Sequence, residues 1–437
     1  MKTYVLPYGK GTQKADIPED HVLYDLHGLH AEAVEDEEQA VREALRHPIG
    51  CQPLDDIIQP SDTVCIVVSD ITRLVHTDRM LPVLVQELNR IGVQDHQITV
   101  LVSQGTHRAH TEQENEIVCG SDMVRRLHIV QHDCHDASAL TCVGRTSFGN
   151  DVYINSIAAK ADKLILTGAV SFHPMAGFGG GRKAVLPGIA GFDTIMRNHA
   201  LALSEIPGSG CHPGCHAGAL EGNPFHEDMK EACAMARPDF LINTVFTPDG
   251  DLYEVVAGHW NTAWEKGCRD LLRIGSVPIQ KLADVTIASA GGYPKDLNLY
   301  QSVKAHMNAV LATRPGGILI FTLECPDIQE PAIFTDWFFR DNQRQCEQEL
   351  RQQFLMPGFV AFKARCIIQS MKAVYVVTRK ENFDVIRRSG QIPAATLEEA
   401  WQMARSLLQE EGCRDFGITI MSHAAATLPV LSPDRIG

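Results

Sequence analysis

Lys183 has the richest chemical surroundings of any side chain in this 437-residue sequence. It lies in the stretch 171–190, SFHPMAGFGGGRKAVLPGIA. Gly177, Gly179, Gly180 and Gly181 precede it and free the backbone for unusual dihedrals and for close approach to a ligand. Val185, Leu186 and Ile189 follow and shield its amine. Such a lysine binds phosphate as a point charge, or acts as a covalent nucleophile once desolvated. No Ser or Thr follows it, so the loop departs from the P-loop pattern. His173, at the mouth of the loop, and His107, in a Gly-Thr-His turn, offer general acid–base chemistry near neutral pH. His110 reads as a surface neighbour of His107. Asp70 and Arg73 share one turn, where the planar fork of Arg73 suits a carboxylate or phosphate, or the pair caps the helix that follows. His199 offers a metal ligand on a helix. Cys211, His212, Cys215 and His216 carry soft donors, but their C-x3-C spacing has no matching second pair and reads as a loop. Tyr300, Gln301 and Lys304 fall on one helix face or its edge, where they can close over a ligand.

These residues need elements to hold them. Apolar runs at 62–69, 98–103, 127–130 and 164–170 read as strands, with helical spacing at 32–46 and 80–91 between them. Thr111 and Glu114 have capping-box spacing for a further helix. Residues 152–161 read as strand then helix, and Asp193 opens a helix through His199. A hairpin is predicted over 239–256 with a TPDGD turn, then a helix over 262–274. The alternation describes an open, mostly parallel α/β sheet, in which ligands sit outside the carboxyl ends of the strands. Asp70/Arg73, His107/His110 and His173/Lys183 each follow a strand and so can meet at one edge. A second α/β pattern starts after a boundary near 275–278, with strands at 283–289, 317–323, 373–378 and 417–421 and helices at 299–311 and 397–408. The expected fold is thus two α/β domains, 1–275 and 276–437, with mostly parallel sheets.

Composition narrows the function classes. Apolar residues make up 44% and charged residues 21%, as in a globular protein. The net charge of -15 argues against nucleic acid or an anionic membrane as a main partner. Nothing approaches the ~20 apolar residues of a membrane span. Thirteen scattered cysteines and the absence of an apolar signal core point to reduced thiols in the cytoplasm.

In order along the chain stand Ser69-Asp70-Ile-Thr-Arg73, Gln104-Gly-Thr-His107-Arg, Ser171-Phe-His173-Pro through Gly-Gly-Gly-Arg-Lys183, and Arg197-Asn-His199. They are followed by Glu221-Gly-Asn-Pro-Phe-His-Glu-Asp-Met229, Gly291-Gly-Tyr-Pro-Lys-Asp296 and Leu299-Tyr-Gln-Ser-Val-Lys304. This ordered set resembles the nickel-pincer-nucleotide lactate racemase family. The resemblance implies an isomerase that inverts the C2 centre of a small 2-hydroxy acid, with its site in the cleft between the two α/β domains. It implies that Lys183 is joined through a thioamide to a pyridinium mononucleotide holding nickel through two sulfurs and a ring carbon. His199 then completes the nickel coordination, and cofactor-synthesis enzymes are needed for maturation. His107 and His173 match the two acid/base histidines. Arg73 and Lys304 match cations near the substrate carboxylate, Tyr300 and Gln301 line the substrate, and Asp70, Gly179, Gly180 and Gly181 lie near the cofactor.

The chemistry explains why such an assembly is needed. The C2 hydrogen of a hydroxy acid carboxylate is too weakly acidic for histidine to remove. Taking the hydroxyl proton while hydride leaves to the cofactor gives a planar 2-keto acid and avoids a carbanion. Hydride return to the other face inverts the centre, and each enantiomer presents its hydroxyl to a different base. Leu74-Val75-His76 stands where lactate-specific members tend to have prolines, and His76, Arg79 and the turn from Tyr293 to Asp296 are candidates to shape a larger or more charged pocket. Two rival readings predict otherwise: a phosphate- or metal-dependent lyase or transferase leaves Lys183 unmodified, and a nickel carrier retains metal without turnover.

Overall fold

Near-continuous apolar runs form the central strands, as expected where both faces of a parallel sheet are covered. The computed structural model describes residues 1–27, 31–247 and 250–431. Its chain groups into two units. One takes 30–202 and 214–274; the other takes 1–29, 203–213 and 275–437.

In the first unit the sheet order is Leu252–Gly258, Phe240–Phe246, Lys163–Val170, Val64–Ser69, Ile98–Ser103 and His128–Gln131. Among the described residues of this sheet, only the Phe240–Phe246/Leu252–Gly258 pair is antiparallel. Of the TPDGD turn, Pro248 and Asp249 lie outside the described residues. Val64 to Val68 are all buried, and the Thr77–Ile91 helix packs Leu81, Leu84 and Leu88 into the same core. Register then decides where the chain leaves the sheet. Ser69 lies opposite Ser103, and Val67 lies opposite Leu166. Asp70, Gln104 and Ser171 therefore all emerge from the carboxyl edge.

The second unit has a six-stranded parallel sheet of its own, ordered Ile392–Ala394, Ala373–Val377, Thr313–Thr322, Ala283–Ser289, Ile418–Met421 and Val22–Leu26. Here the expected domain limits need correction. The N-terminal residues belong to this unit: Val22–Leu26 is its edge strand, and the Lys2–Tyr8/Gly11–Ile17 hairpin buries Leu6 and Ile17 in the core that holds Trp401. Parallel pairing joins residues far apart in sequence, so no local pattern names the partner. The boundary expected near 275–278 falls where the two units divide, and it carries a strand, since Ser276–Ile279 pairs in parallel with Leu428–Leu431. The α/β class with mostly parallel sheets is as expected.

Candidate active site

The glycine loop is tight because protein fills the space around it. Phe172–His173 pairs back on Gly177–Phe178. Gly180 and Gly181 take φ of +67° and +53°. A Cβ on Gly180 would lie 2.6 Å from Asn243 Oδ1, and one on Gly181 would lie 2.6 Å from the Trp264 ring. Gly181 N donates to Asn243 Oδ1 (2.8 Å), Gly179 N to Ser171 O (2.6 Å) and Lys183 N to Gly180 O (3.1 Å). Around Gly179, Gly180 and Gly181 the close approach is made by the protein's own strands and by Trp264, and the amides of Gly179, Gly181 and Lys183 are spent inside the fold. Asn243 and Trp264, whose indole donates to Gly179 O (2.8 Å), were not singled out in the sequence. A polar Asn inside the apolar run FLINTVF was the available signal.

Arg182 lies completely buried beneath this loop. It donates to His226 Nδ1 (2.9 Å) and Ala176 O (2.7 Å), and its guanidinium carbon stands 4.0 Å from the centre of the Trp264 ring. Burial pulls its pKa down to about 10, which leaves it charged at neutral pH. Its hydrogen-bond partners are neutral groups, so a fixed positive charge sits one residue from Lys183.

Lys183 Nζ lies 3.4 Å from Nε2 of His173. Burial, then the charges of Arg73 and Arg182, hold the lysine well below its ordinary pKa. His173 is pushed well below its own, first by burial and then by Lys183, Arg73, Arg182 and His199. Its Nδ1 faces the backbone amides of Met175 (3.3 Å) and Ala176 (3.0 Å). Both are donors, so Nδ1 must accept, and the neutral ring carries its proton on Nε2.

His107 has the opposite arrangement. Its Nδ1 lies 2.5 Å from Oδ2 of the buried Asp70, whose Oδ1 accepts from Thr72 Oγ1 (2.7 Å). Burial tends to raise the Asp70 pKa, but the bonds from His107 and Thr72 and the nearby charge of Arg73 outweigh it, and the net shift is downward. An ionised Asp70 accepts from Nδ1–H, leaving the half-exposed Nε2 of His107 with a free lone pair. Gly105 N donates to Gly188 O (2.9 Å) and ties the His107 turn to the segment after Lys183. Arg73 is exposed, and its guanidinium makes no hydrogen bond, ion pair or ring contact with any described residue. His110 is more than a surface neighbour: its Nε2 accepts from Ile71 N (2.8 Å) and holds the Asp70 turn.

His199 sits on the Phe192–Ala200 helix, with Nδ1 2.8 Å from Ile195 O. That bond puts the proton on Nδ1 and leaves Nε2 unprotonated. Burial, then the charge of Lys183, lowers its pKa to about 3, so the ring is neutral. The adjacent Asn198 donates to Phe225 O and to the fully buried Asp228, which also receives Thr146 and Asn150. This network fixes the helix that carries His199.

Other candidates find local partners. His76 and Arg79, proposed to charge a substrate pocket, both bind Glu37, at 2.9 and 2.7 Å. Cys215 is buried against Asn223, and His216 bonds to Ala217 O. No group of three or more His, Cys, Asp or Glu side chains among the described residues is placed to hold a metal. Tyr300, Gln301 and Lys304 lie on the Leu299–Ala309 helix of the second unit, capped by Asn298, with Lys304 Nζ 3.4 Å from Gln301 Oε1 and Tyr300 edge-on to Phe334. No helix among the described residues is long and apolar enough to cross a membrane.

Comparison with known proteins shows the family. Residues 8–210 match the lactate racemase N-terminal domain, and residues 279–426 match the lactate racemase C-terminal domain. The chain is 31% identical to a lactate racemase of Thermoanaerobacterium thermosaccharolyticum over 94% of its length and 96% of the relative's. It is 35% identical to a lactate racemase of Lactiplantibacillus plantarum over 74% of each. The solved lactate racemase apoprotein from T. thermosaccharolyticum superposes with a TM-score of 0.85 at 32% identity, covering 98% of this chain and 100% of that one. A Thermotoga maritima protein, 18% identical, has the same fold with a TM-score of 0.60, over 92% of this chain and 100% of that one. The chain belongs to the lactate racemase family and is an isomerase of the racemase type.

Proposed function

We propose that this protein racemises lactate or a close 2-hydroxy acid, using a nickel-pincer nucleotide tethered at Lys183. The observation that carries this reading is a half-buried amine among cations beside one histidine, with a second, Asp-oriented histidine at the same sheet edge. The residues suit the group. Among the described residues no carboxylate pairs with the Lys183 amine, and His199 offers an unprotonated Nε2 to a soft metal. When bound, the group supplies a carbon that accepts hydride and returns it.

The protein's own residues do the rest. Arg73 has a free fork for the substrate carboxylate. His107 takes the hydroxyl proton at Nε2, and ionised Asp70 stabilises the imidazolium that results. His173 serves the opposite enantiomer, but only after a rearrangement. To accept a proton at Nε2 it must carry one on Nδ1, and the amides of Met175 and Ala176 oppose that. Base action by His173 therefore requires the 173–176 turn to release its ring. Tyr300, Gln301 and Lys304 enter this reading as substrate contacts through the family pattern.

The test is to co-produce the protein with cofactor-synthesis enzymes and measure intact mass, nickel content and chiral conversion of L- and D-lactate. The expected result is a mass adduct on Lys183, bound nickel and racemisation in both directions. An unmodified Lys183 without nickel under those conditions overturns the proposal.

A further inference from the structure

We infer that His110 is a positioning residue for the Asp70–His107 pair: it holds the peptide after Asp70 so that the carboxylate stays aimed at the base. His107 and His110 share one turn and grip the facing turn at consecutive residues, with opposite polarity. His107 donates from Nδ1 to Asp70 Oδ2 (2.5 Å), and His110 accepts at Nε2 from Ile71 N (2.8 Å). The peptide group between Asp70 and Ile71 is thereby held at both edges, because its carbonyl accepts from Arg73 N (2.9 Å). Fixing that plane restricts the direction in which the Asp70 side chain leaves the backbone. Thr72 Oγ1, donating to Oδ1 (2.7 Å), restrains the rotation of the carboxylate itself.

A count of donors and acceptors places the proton of the His110 ring. Ile71 N–H is a donor, so Nε2 is bare, and Nδ1, 3.1 Å from Asn115 Oδ1, carries the hydrogen. The second lone pair of Asn115 Oδ1 receives Gln131 Nε2 (2.8 Å). Gln131 Oε1 in turn accepts from His110 N (3.1 Å) and from Gln104 Nε2. Ring and backbone of His110 are therefore tied to the same two amide side chains. Gln131 ends the His128–Gln131 strand, and Asn115 lies on the Glu112–Cys119 helix. The 104–110 turn is thus anchored to the sheet and to the helix that follows it. His110 is not a third base, because the lone pair of its bare nitrogen is taken by Ile71 N. Its effect on the chemistry passes through Asp70.

This inference rests on the reading of His107 as a base, but its first readout needs no turnover. In protein purified without the cofactor-synthesis enzymes, nitrogen-15 spectra should show His110 with a protonated Nδ1 and a bare Nε2. The His107 Nδ1–H signal should lie far downfield because of its short bond to Asp70, and His110→Ala should move it toward the position of a water-exposed ring. In protein co-produced with those enzymes, His110→Ala should lower kcat/KM for lactate roughly tenfold, the scale of a small misplacement of a reacting group. His110→Gln sets an amide oxygen as many bonds from Cα as Nε2 and should recover most of that loss. Added to Asp70→Asn, His110→Ala should cost less than about twofold more, since both act through one contact. Wild-type kcat/KM in His110→Ala, an equal loss in His110→Gln, or losses that add in full overturn the inference. If His110→Ala does not fold, His110→Gln and the wild-type spectrum decide: a protonated Nε2 on wild-type His110, or a displaced His107 signal in His110→Gln, overturns it. A His107 signal that moves as expected in a protein that never racemises lactate refutes the functional reading while sustaining this one. Racemisation with that signal unmoved by His110→Ala refutes only this one.

Discussion

Nδ1 of His107 lies 2.5 Å from the Asp70 carboxylate, whereas Nδ1 of His173 lies 3.0 Å from the amide of Ala176. One ring is held by an acceptor and the other by donors. The two histidines therefore start with opposite tautomers: His107 with a basic Nε2, His173 with a proton there.

The Asp70 contact predicts a specific failure. Asp70→Asn keeps the size of the side chain but removes the charge that stabilises the His107 imidazolium. The value of kcat for lactate should fall on the order of 100-fold, with KM, nickel content and the Lys183 adduct little changed. Wild-type kcat in this variant would remove Asp70 from the mechanism. Nitrogen-15 NMR of the histidines offers a check without turnover, since Nδ1 should be protonated in His107 and bare in His173.

Arg73 separates binding from folding. Its exposed guanidinium has no hydrogen bond, ion pair or ring contact with any described residue to lose. Arg73→Ala should change unfolding stability by less than about 0.5 kcal/mol. A carboxylate held by a charged fork is worth about 1.5–3 kcal/mol, so kcat/KM for lactate should drop roughly 10- to 100-fold. Equal losses of stability and activity would instead assign Arg73 to structure.

Steric limits in the loop predict unequal glycines. Gly181→Ala forces a Cβ to 2.6 Å from Trp264 at φ +53°. The left-handed backbone costs roughly 1–2 kcal/mol and the overpacking about 1–3 kcal/mol more. Gly208→Ala, at φ +87° with nothing within 4 Å, bears only the first cost. Urea unfolding should rank the two in that order; equal midpoints would show that the loop yields to the added carbon.

Two buried histidines set an acid limit. His199 and His226 both have pKa values lowered to about 3, by burial first and then by Lys183 and Arg182 respectively. They stay neutral in the fold and gain protons on unfolding below an unfolded pKa of about 6.5. Their contribution to stability is therefore complete above about pH 6.5 and is lost as pH falls toward 3, with a slope approaching ~1.4 kcal/mol per pH unit for each. His226→Gln, whose carbonyl still accepts from Arg182, should lower that slope by about one proton between about pH 6 and pH 4. An unchanged slope would mean that His226 is already protonated in the fold.

The sequence by itself determined the elements and their chemistry. Apolar runs fix strands such as Ile98–Ser103, and the Thr111–Glu114 capping box forms as its spacing requires. Ordered turns after the strands marked Asp70, His107, His173 and Lys183 as candidates, and an Arg-Asn-His run on a predicted helix marked His199, because residue types within one turn are local facts. The tertiary structure alone decided what depends on distant partners. It assigned the N-terminal strand to the second unit, since parallel pairing leaves no local trace. It turned the glycines against Asn243 and Trp264, and it paired His76 and Arg79 with Glu37. It also set the proton of His107, because a tautomer depends on which donor or acceptor the fold brings to the ring, and Asp70 lies 37 residues away; the amides that face His173 lie only two and three residues on, but it took the conformation of that turn to aim them at Nδ1.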